Sequence, residues 1–317
     1  MLDIISIGPG EAVLLTDDAK QAIDRADAVW CAARHAVLVT PEKARPLSPL
    51  EGAIEQMRLS SDAGQSAAVL VSGDAGLYSL LEMLKRKIGG EYLRVHPGVS
   101  ALQLFAARLG VSWQDAKILS AHGRALSESA LCHAVRTHRQ TFCFLDAAHN
   151  PAWVRESLNL GGLENARLFV GERLSYPDER TEAYDPDATY DPLCMAYIEN
   201  DAPESGLPPV GLSDEAFIRG KTPMTKRDVR ALVVSALHLK PNGVVWDIGA
   251  GTGSVSVECA RQCPLGEVYA VEMKDEALDL IRRNAERFHA LNLRVVPGRA
   301  QEVLSALPAP DAVFLGG

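Results

Sequence analysis

The chain has 317 residues, 47% of them hydrophobic and 23% charged, with a net charge of −9. That length exceeds one ordinary domain, and the composition is that of a globular rather than a disordered or collagen-like chain. The acidic balance and the lack of a basic stripe with interleaved aromatics exclude a nucleic-acid partner, and no stretch reaches the roughly 20 uncharged apolar residues of a membrane span.

The N-terminus, Met-Leu-Asp-Ile-Ile-Ser-Ile-Gly, lacks the basic start of a signal peptide, so a cytoplasmic location is expected. Leu2 to Ile7 reads as a strand that breaks at Gly8-Pro9-Gly10, and an acid-started helix follows over Thr16 to Arg25. The pattern repeats in Ala67-Ala-Val-Leu-Val-Ser-Gly-Asp-Ala-Gly-Leu-Tyr-Ser79 and in Leu93-Arg-Val-His-Pro-Gly-Val-Ser-Ala-Leu-Gln103. Each is a short apolar strand that breaks at Gly or Pro-Gly and leads to a helix. Three such breaks predict an open α/β sheet whose carboxyl ends converge on a ligand.

These motifs resemble those of the tetrapyrrole (corrin/porphyrin) methylase family: Gly8-Pro-Gly10, then Ser72-Gly-Asp-Ala-Gly-Leu-Tyr78, then Pro97-Gly-Val-Ser-Ala101. Phe142-Cys-Phe-Leu-Asp146 fits the strand that enters the family's second subdomain, and Val170-Gly-Glu-Arg-Leu-Ser-Tyr-Pro-Asp-Glu-Arg180 resembles its E-R-L-x-x-P-D-E segment. The resemblance covers about residues 1 to 200. It implies two α/β subdomains with S-adenosylmethionine (SAM) folded in the cleft between them, and it marks Pro9, Gly73, Asp74, Gly76, Ser100 and Ala101 as cofactor-binding.

Asn200-Asp-Ala-Pro-Glu-Ser-Gly-Leu-Pro-Pro-Val-Gly211 is dense in Pro and Gly, and residues 201–211 read as a linker between domains at 1–200 and 212–317. The charge divides unevenly there: residues 1–210 hold 19 Lys and Arg against 28 Asp and Glu, residues 211–317 hold 13 against 13. Next comes a predicted amphipathic helix from Lys226 to His238, with Thr225 as N-cap and Val229, Leu232, Val233 and Leu237 on its apolar face. The cluster Arg219, Lys221, Lys226, Arg227, Arg230 reads either as a solvated helix start or as an anion-binding patch.

The most informative stretch follows. In Val244-Val-Trp-Asp-Ile-Gly-Ala-Gly-Thr-Gly-Ser254 an apolar strand breaks into a helix through Gly249, Gly251 and Gly253, with Asp247 at the strand end. A second strand, Glu267-Val-Tyr-Ala-Val-Glu272, ends in a carboxylate 19 residues past Gly253, where a ribose-binding acid belongs. The dinucleotide fingerprint G-x-G-x-x-G/A fails, because the sixth position from Gly249 is Ser254. The spacing instead resembles the D/E-x-G-x-G-x-G motif of class I SAM methyltransferases. That resemblance implies cofactor contacts at Asp247, Gly249, Ala250, Gly251, Thr252, Gly253 and Glu272. It adds Thr225 from Gly220-Lys-Thr-Pro-Met-Thr-Lys226 and Ala300 from Pro297-Gly-Arg-Ala-Gln-Glu302, where Arg299 stands in place of a frequent acid.

The fold class expected is thus α/β: a tetrapyrrole methylase fold followed by a class I Rossmann-like domain. The resemblance implies more strands after the last candidate, Asp311-Ala-Val-Phe-Leu-Gly-Gly317, so the C-terminal half of the second domain is expected to be missing. Joined to a tetrapyrrole methylase, a class I domain implies C-methylation of two meso carbons of a precorrin, a polycarboxylate tetrapyrrole. Loss of CO2 from an acetate side chain, a role in corrin synthesis and a homo-oligomer are implied with it. A SAM methyltransferase on another planar substrate and a SAM-sensing binding protein use the same motifs and stay open. No metal is expected: the six cysteines include no C-x-x-C pair. No catalytic residue is assigned; Tyr78, His122 and His149 are acid/base candidates that packing or surface roles explain as well.

Overall fold

In a computed structural model that describes residues 1–10 and 12–316, the chain builds three sheets. Glu11 and Gly317, which bracket the first glycine turn and the last predicted strand, lie outside the described residues.

The first sheet contains β1 (Leu2–Ser6), β2 (Ala28–Cys31), β3 (Ala44–Pro46), β4 (Ala67–Val71) and β5 (Leu93–His96) in the order β3-β2-β4-β1-β5. Its pairings are parallel, with Leu2 opposite both Ala67 and Leu93. Both faces of its centre are covered, so β1, β2 and β4 are buried along their whole length and β2 and β4 are apolar throughout, while the edge strands β3 and β5 are partly exposed. Leu2, Ile4, Trp30, Val69 and Val71 pack with Met57 and Leu84 on one face. Ile5, Ile7, Val29 and Leu70 pack with Ala19, Ala22 and Ile23 on the other. Helix α1 (Asp17–Arg25) begins as its sequence dictates: the Thr16 side chain accepts from Ala19 N, and Asp17 and Asp18 occupy the positive end. Helices α2 (Leu50–Asp62), α3 (Leu81–Ile88) and α4 (Ala101–Leu109) complete the layer.

The second sheet runs β6 (Lys117–Ser120), β7 (Gln140–Phe144), β8 (Arg167–Glu172), β9 (Arg180–Ala183) and β10 (Cys194–Glu199) in the order β6-β7-β10-β8-β9, with β8 and β9 antiparallel. Helices α5 (Glu128–Thr137) and α6 (Pro151–Leu160) follow its first two strands.

The third sheet is parallel: β11 (Val244–Ile248), β12 (Glu267–Glu272), β13 (Leu293–Pro297) and β14 (Ala312–Leu315), ordered β13-β12-β11-β14. The strand order turns back at β11, which makes its carboxyl end the place where such sheets hold ligands. Helices α7 (Arg227–Ala236), α8 (Ser254–Gln262), α9 (Asp275–Arg287) and the short α10 (Ala300–Val303) belong to this part. Val245, Val255, Val257, Val268, Ala270 and Ile281 form its core.

By contacts the chain divides into two compact units, Met1–Asp115 with Phe169–Met195, and Ala116–Leu168 with Ala196–Gly317. Among the described residues no helix is long and apolar enough to cross a membrane.

Two details of α7 differ from expectation. Its N-cap is Lys226, with no side-chain cap bond, and Thr225 lies one residue before it. Its buried positions are Arg230 and Val234, whereas Val229 and Leu232 are 54% and 72% exposed. The helix is rotated from the predicted apolar face because Arg230 finds the buried Glu258 and the partly buried Asp214. Its Nε donates to Glu258 Oε1 at 2.6 Å, its Nη1 to Asp214 Oδ1 at 3.2 Å, and its guanidinium lies 4.6 Å from the Phe217 ring centroid.

Candidate cofactor sites

In the first unit, three glycine turns leave three neighbouring strands and are tied to one another. Gly8 and Gly73 form a two-way backbone bridge, Gly8 N to Gly73 O at 3.2 Å and Gly73 N to Gly8 O at 2.7 Å, with φ of 73° and 69°. Those left-handed values suit glycine and strain an L side chain. Gly98 is glycine for a different reason: a Cβ there would sit 2.7 Å from Ser6 Cβ and 2.8 Å from Ser6 O. Ser6 Oγ accepts from Ala75 N at 2.9 Å. Asp74 spans two of the turns, with Oδ1 accepting from Gly76 N at 2.8 Å and Oδ2 from Gly98 N at 3.3 Å.

Pro9 is buried between the two positive-φ glycines, and a Cβ on Gly10 would overlap the Tyr176 hydroxyl. Ser100 is buried and forms a capping box with Gln103 at the start of α4, so Ala101 opens the helix. Its Cα would be 3.9 Å from a Cβ on Gly73. The structure thus brings Pro9, Gly73, Asp74, Gly76, Ser100 and Ala101 to one end of one sheet. That end is where sheets of this kind hold ligands, and the α4 N-terminus opens beside it.

Arg173 and Ser175, in the segment after β8, also adopt left-handed φ, 47° and 74°. Ion pairs hold that turn: Arg173 meets Asp178 at 2.5 Å, and Glu179 meets Arg108 at 2.5 Å while accepting from Ser175 N at 2.8 Å.

In the second unit, the loop after β11 has Gly249, Gly251 and Gly253 at φ of 74°, 58° and 74°, and Gly253 caps α8. A Cβ on Gly253 would press on Ile281 at 3.2 Å, and one on Gly251 would meet Pro223 O at 3.3 Å. The segment before α7, which carries Thr222 to Thr225, therefore lies against the loop. Glu272 organises the loop: Oε2 accepts from Gly251 N at 3.0 Å, and Oε1 from Met273 N at 2.7 Å and Lys274 N at 3.0 Å. Gly249 N and Ala250 N both donate to Val271 O. Gly298 N donates to Glu272 O at 2.9 Å, which sets Ala300 beside the end of β12.

Two polar atoms here are buried without a partner among the described residues, Asp247 Oδ1 and Thr252 Oγ1. Orphans of that kind are scarce in folded proteins and mark either strain or a missing ligand. Asp247 is 1% exposed and hydrogen-bonded through Oδ2 to Ser256 Oγ. Burial, aided by the nearby Glu272 charge, pushes its carboxyl up to about 6 against the pull of Ser256. Thr252 O accepts from Asn284 Nδ2 at 2.9 Å, and the same amide exchanges hydrogen bonds with Ile218. A nucleoside with a cationic centre fits these features: the glycine turns exclude side chains, and unsatisfied oxygens wait beside a partly buried carboxylate.

Arg230 and Glu258 underpin this site from below. Glu258 accepts from Gly211 N and Leu212 N at 2.6 and 3.0 Å, and Arg230 Nη1 donates to Thr225 O at 2.6 Å. The pair thereby pins both ends of the 211–225 segment. Of the predicted basic cluster, then, Arg230 is neither solvated nor open to an anion, while Arg219, Lys221, Lys226 and Arg227 are exposed. Sequence reasoning also passed over Asn284 and Glu258. His149 is paired with Asp146 at 3.0 Å, His122 is exposed, and Tyr78 is exposed with a φ of 50°. Cys259 and Cys263 are buried core thiols, and burial pushes both upward.

Comparison with known proteins gives the following. Residues 1–185 match the family of Tetrapyrrole (Corrin/Porphyrin) Methylases, and residues 215–317 match a Precorrin methyltransferase domain. A precorrin-6Y C(5,15)-methyltransferase [decarboxylating] from a Sinorhizobium species is 34% identical over 330 aligned positions, covering 100% of this chain and 78% of that protein. A cobalt-precorrin-6B C(15)-methyltransferase (decarboxylating) from Salmonella typhimurium is 45% identical over 107 residues, 33% of this chain and 55% of that one. The crystal structure of a uroporphyrin-III C-methyltransferase from Thermus thermophilus, complexed with S-adenosylhomocysteine, is 18% identical. It covers 62% of this chain and 96% of that one with a TM-score of 0.51, a likeness of fold.

Proposed function

The chain belongs to the tetrapyrrole (corrin/porphyrin) methylase family, and on that premise we propose that it is a SAM-dependent, decarboxylating precorrin-6Y C(5,15)-methyltransferase of cobalamin synthesis. The observation that carries this reading is the presence of two unlike glycine sites on one chain, each at the carboxyl end of a parallel sheet. One site per methyl group accounts for both. The matches to residues 1–185 and 215–317 support two domains, joined through the 201–211 linker. The Salmonella relative decarboxylates and acts at C15, and its 107-residue match has about the length of the C-terminal part. That supports giving C15 methylation and decarboxylation to the second domain and C5 methylation to the first.

SAM, when bound, supplies a sulfonium methyl group, and an electron-rich meso carbon of the tetrapyrrole is the nucleophile. The chain's tasks are therefore positioning and exclusion of water. In the first domain Pro9, Gly73, Asp74, Gly76, Ser100 and Ala101 offer the cofactor backbone and the start of α4. In the second, Gly249 to Gly253 admit it, Glu272 and Asp247 meet its hydroxyl and cationic groups, and Thr225 and Ala300 flank it. Incubation with SAM and precorrin-6Y tests the reading by mass spectrometry. A product carrying two more methyl groups and lacking one CO2 supports it; a substrate recovered unchanged overturns it.

A further inference from the structure

One cluster in the first unit takes no part in these cofactor contacts. Arg34, exposed on the segment after β2, donates from Nε to His35 Nε2 at 3.0 Å and from Nη2 to Ser72 Oγ at 2.8 Å. Ser72 Oγ lies 2.9 Å from the same His35 nitrogen and directly precedes Gly73. Arg34 forms no ion pair among the described residues, in a chain with 41 acids. A guanidinium can only donate, so His35 Nε2 is an acceptor and the ring is neutral with its proton on Nδ1. His35 is 1% exposed, and burial together with the Arg34 charge brings it down to about 4.

The consequence lies in which edge of the guanidinium is used. Nε and Nη2 face His35 and Ser72 along one side, and the edge formed by Nη1 and the second Nη2 hydrogen is left over. That edge matches a carboxylate in a two-bond fork. Long exposed side chains normally lose entropy when held, yet this one is held by neutral groups that do not cancel its charge. The natural complement is an anion from outside the chain.

Resting on the substrate reading above, we propose that Arg34 binds one peripheral carboxylate of the tetrapyrrole, with His35 and Ser72 as the residues that position its guanidinium. The site selects polycarboxylate macrocycles in the first domain and leaves SAM to the glycine turns. Kinetics of the full chain with SAM and precorrin-6Y, paired with calorimetric titration of SAM, test it. For Arg34→Ala the KM for precorrin-6Y rises roughly 10- to 100-fold, the loss of one charge-assisted contact, while kcat and the SAM Kd stay within threefold. Arg34→Lys recovers part of the loss, and Ser72→Ala, which loosens the hold on the opposite edge of the guanidinium, gives a smaller rise. An unchanged KM in Arg34→Ala beside an active wild type overturns this proposal alone. SAM affinity that falls in step with KM also overturns it, by making Arg34 a cofactor residue. A wild type that binds SAM but neither binds nor methylates precorrin-6Y overturns the substrate reading and this proposal together.

Discussion

The two glycine sites use the same residue for different physical ends. In the first, the turns after β1, β4 and β5 brace one another: Gly8 and Gly73 share a backbone bridge, Asp74 ties two turns, and Gly98 is required by the space that Ser6 leaves. Its other polar support includes the Ser100 capping box, and His35 beside Ser72. In the second, a single loop is held by buried charge. Glu272 gathers three amides, Asp247 is enclosed, and the Arg230–Glu258 pair pins the segment lying against the loop. A backbone scaffold of this kind depends first on shape, whereas a charge-held loop depends on its buried charges and on keeping their partners.

The sharpest break of that contrast is at Arg230, whose side chain is fully buried against a Glu258 that is 1% exposed. Removing one member leaves the other uncompensated, so Arg230→Ala should cost about 3–5 kcal/mol in chemical denaturation. The double variant Arg230→Met with Glu258→Leu should recover much of it. Recovery absent from the double variant would mean that the pair also supplies shape.

Acidity should act in opposite directions on two buried groups, Asp247 at the second loop and His35 beside the first site. Asp247 is raised to about 6, so its folded state prefers the proton. Its contribution is most favourable below the unfolded value near 4 and declines as pH rises through 6, by roughly 3 kcal/mol in all. Asp247→Asn should therefore stabilise the ligand-free protein at pH 7 and flatten that part of the profile. His35 is lowered to about 4, so its contribution is full above 6.5 and is lost as pH falls toward 4. Stability profiles of Asp247→Asn and His35→Asn that tilt the same way would contradict the contrast.

Shape alone should govern Gly98→Ala, where overlap with Ser6 costs about 1–3 kcal/mol at every pH, seen as a uniform drop in denaturation midpoint. Smallest is Ser100→Ala, which removes the capping box of α4 for about 1 kcal/mol and lowers the melting temperature slightly.

Local chemistry made much of this readable in advance. Thr16 before Asp17 and Asp18 announces α1, and the glycines at 8, 73, 249, 251 and 253 announce turns that the structure shows at positive φ. Strand and glycine signals act over a few residues, which a sequence displays. Arg230 shows the opposite case. Its partners Glu258 and Asp214 lie 28 and 16 residues away, and without them an arginine among other cations reads as solvated. The rotated face of α7 follows from the same cause. Arg34, His35 and Ser72 come together only once β2 and β4 pair, across a gap of 38 residues.

Calorimetric titration of the full chain with SAM tests most directly whether the two unlike sites we propose both bind it. Two equivalents should bind per chain in the parent protein and one in a variant whose Gly251→Val change fills the second loop. A single equivalent in the parent protein, or two in the variant, would contradict it.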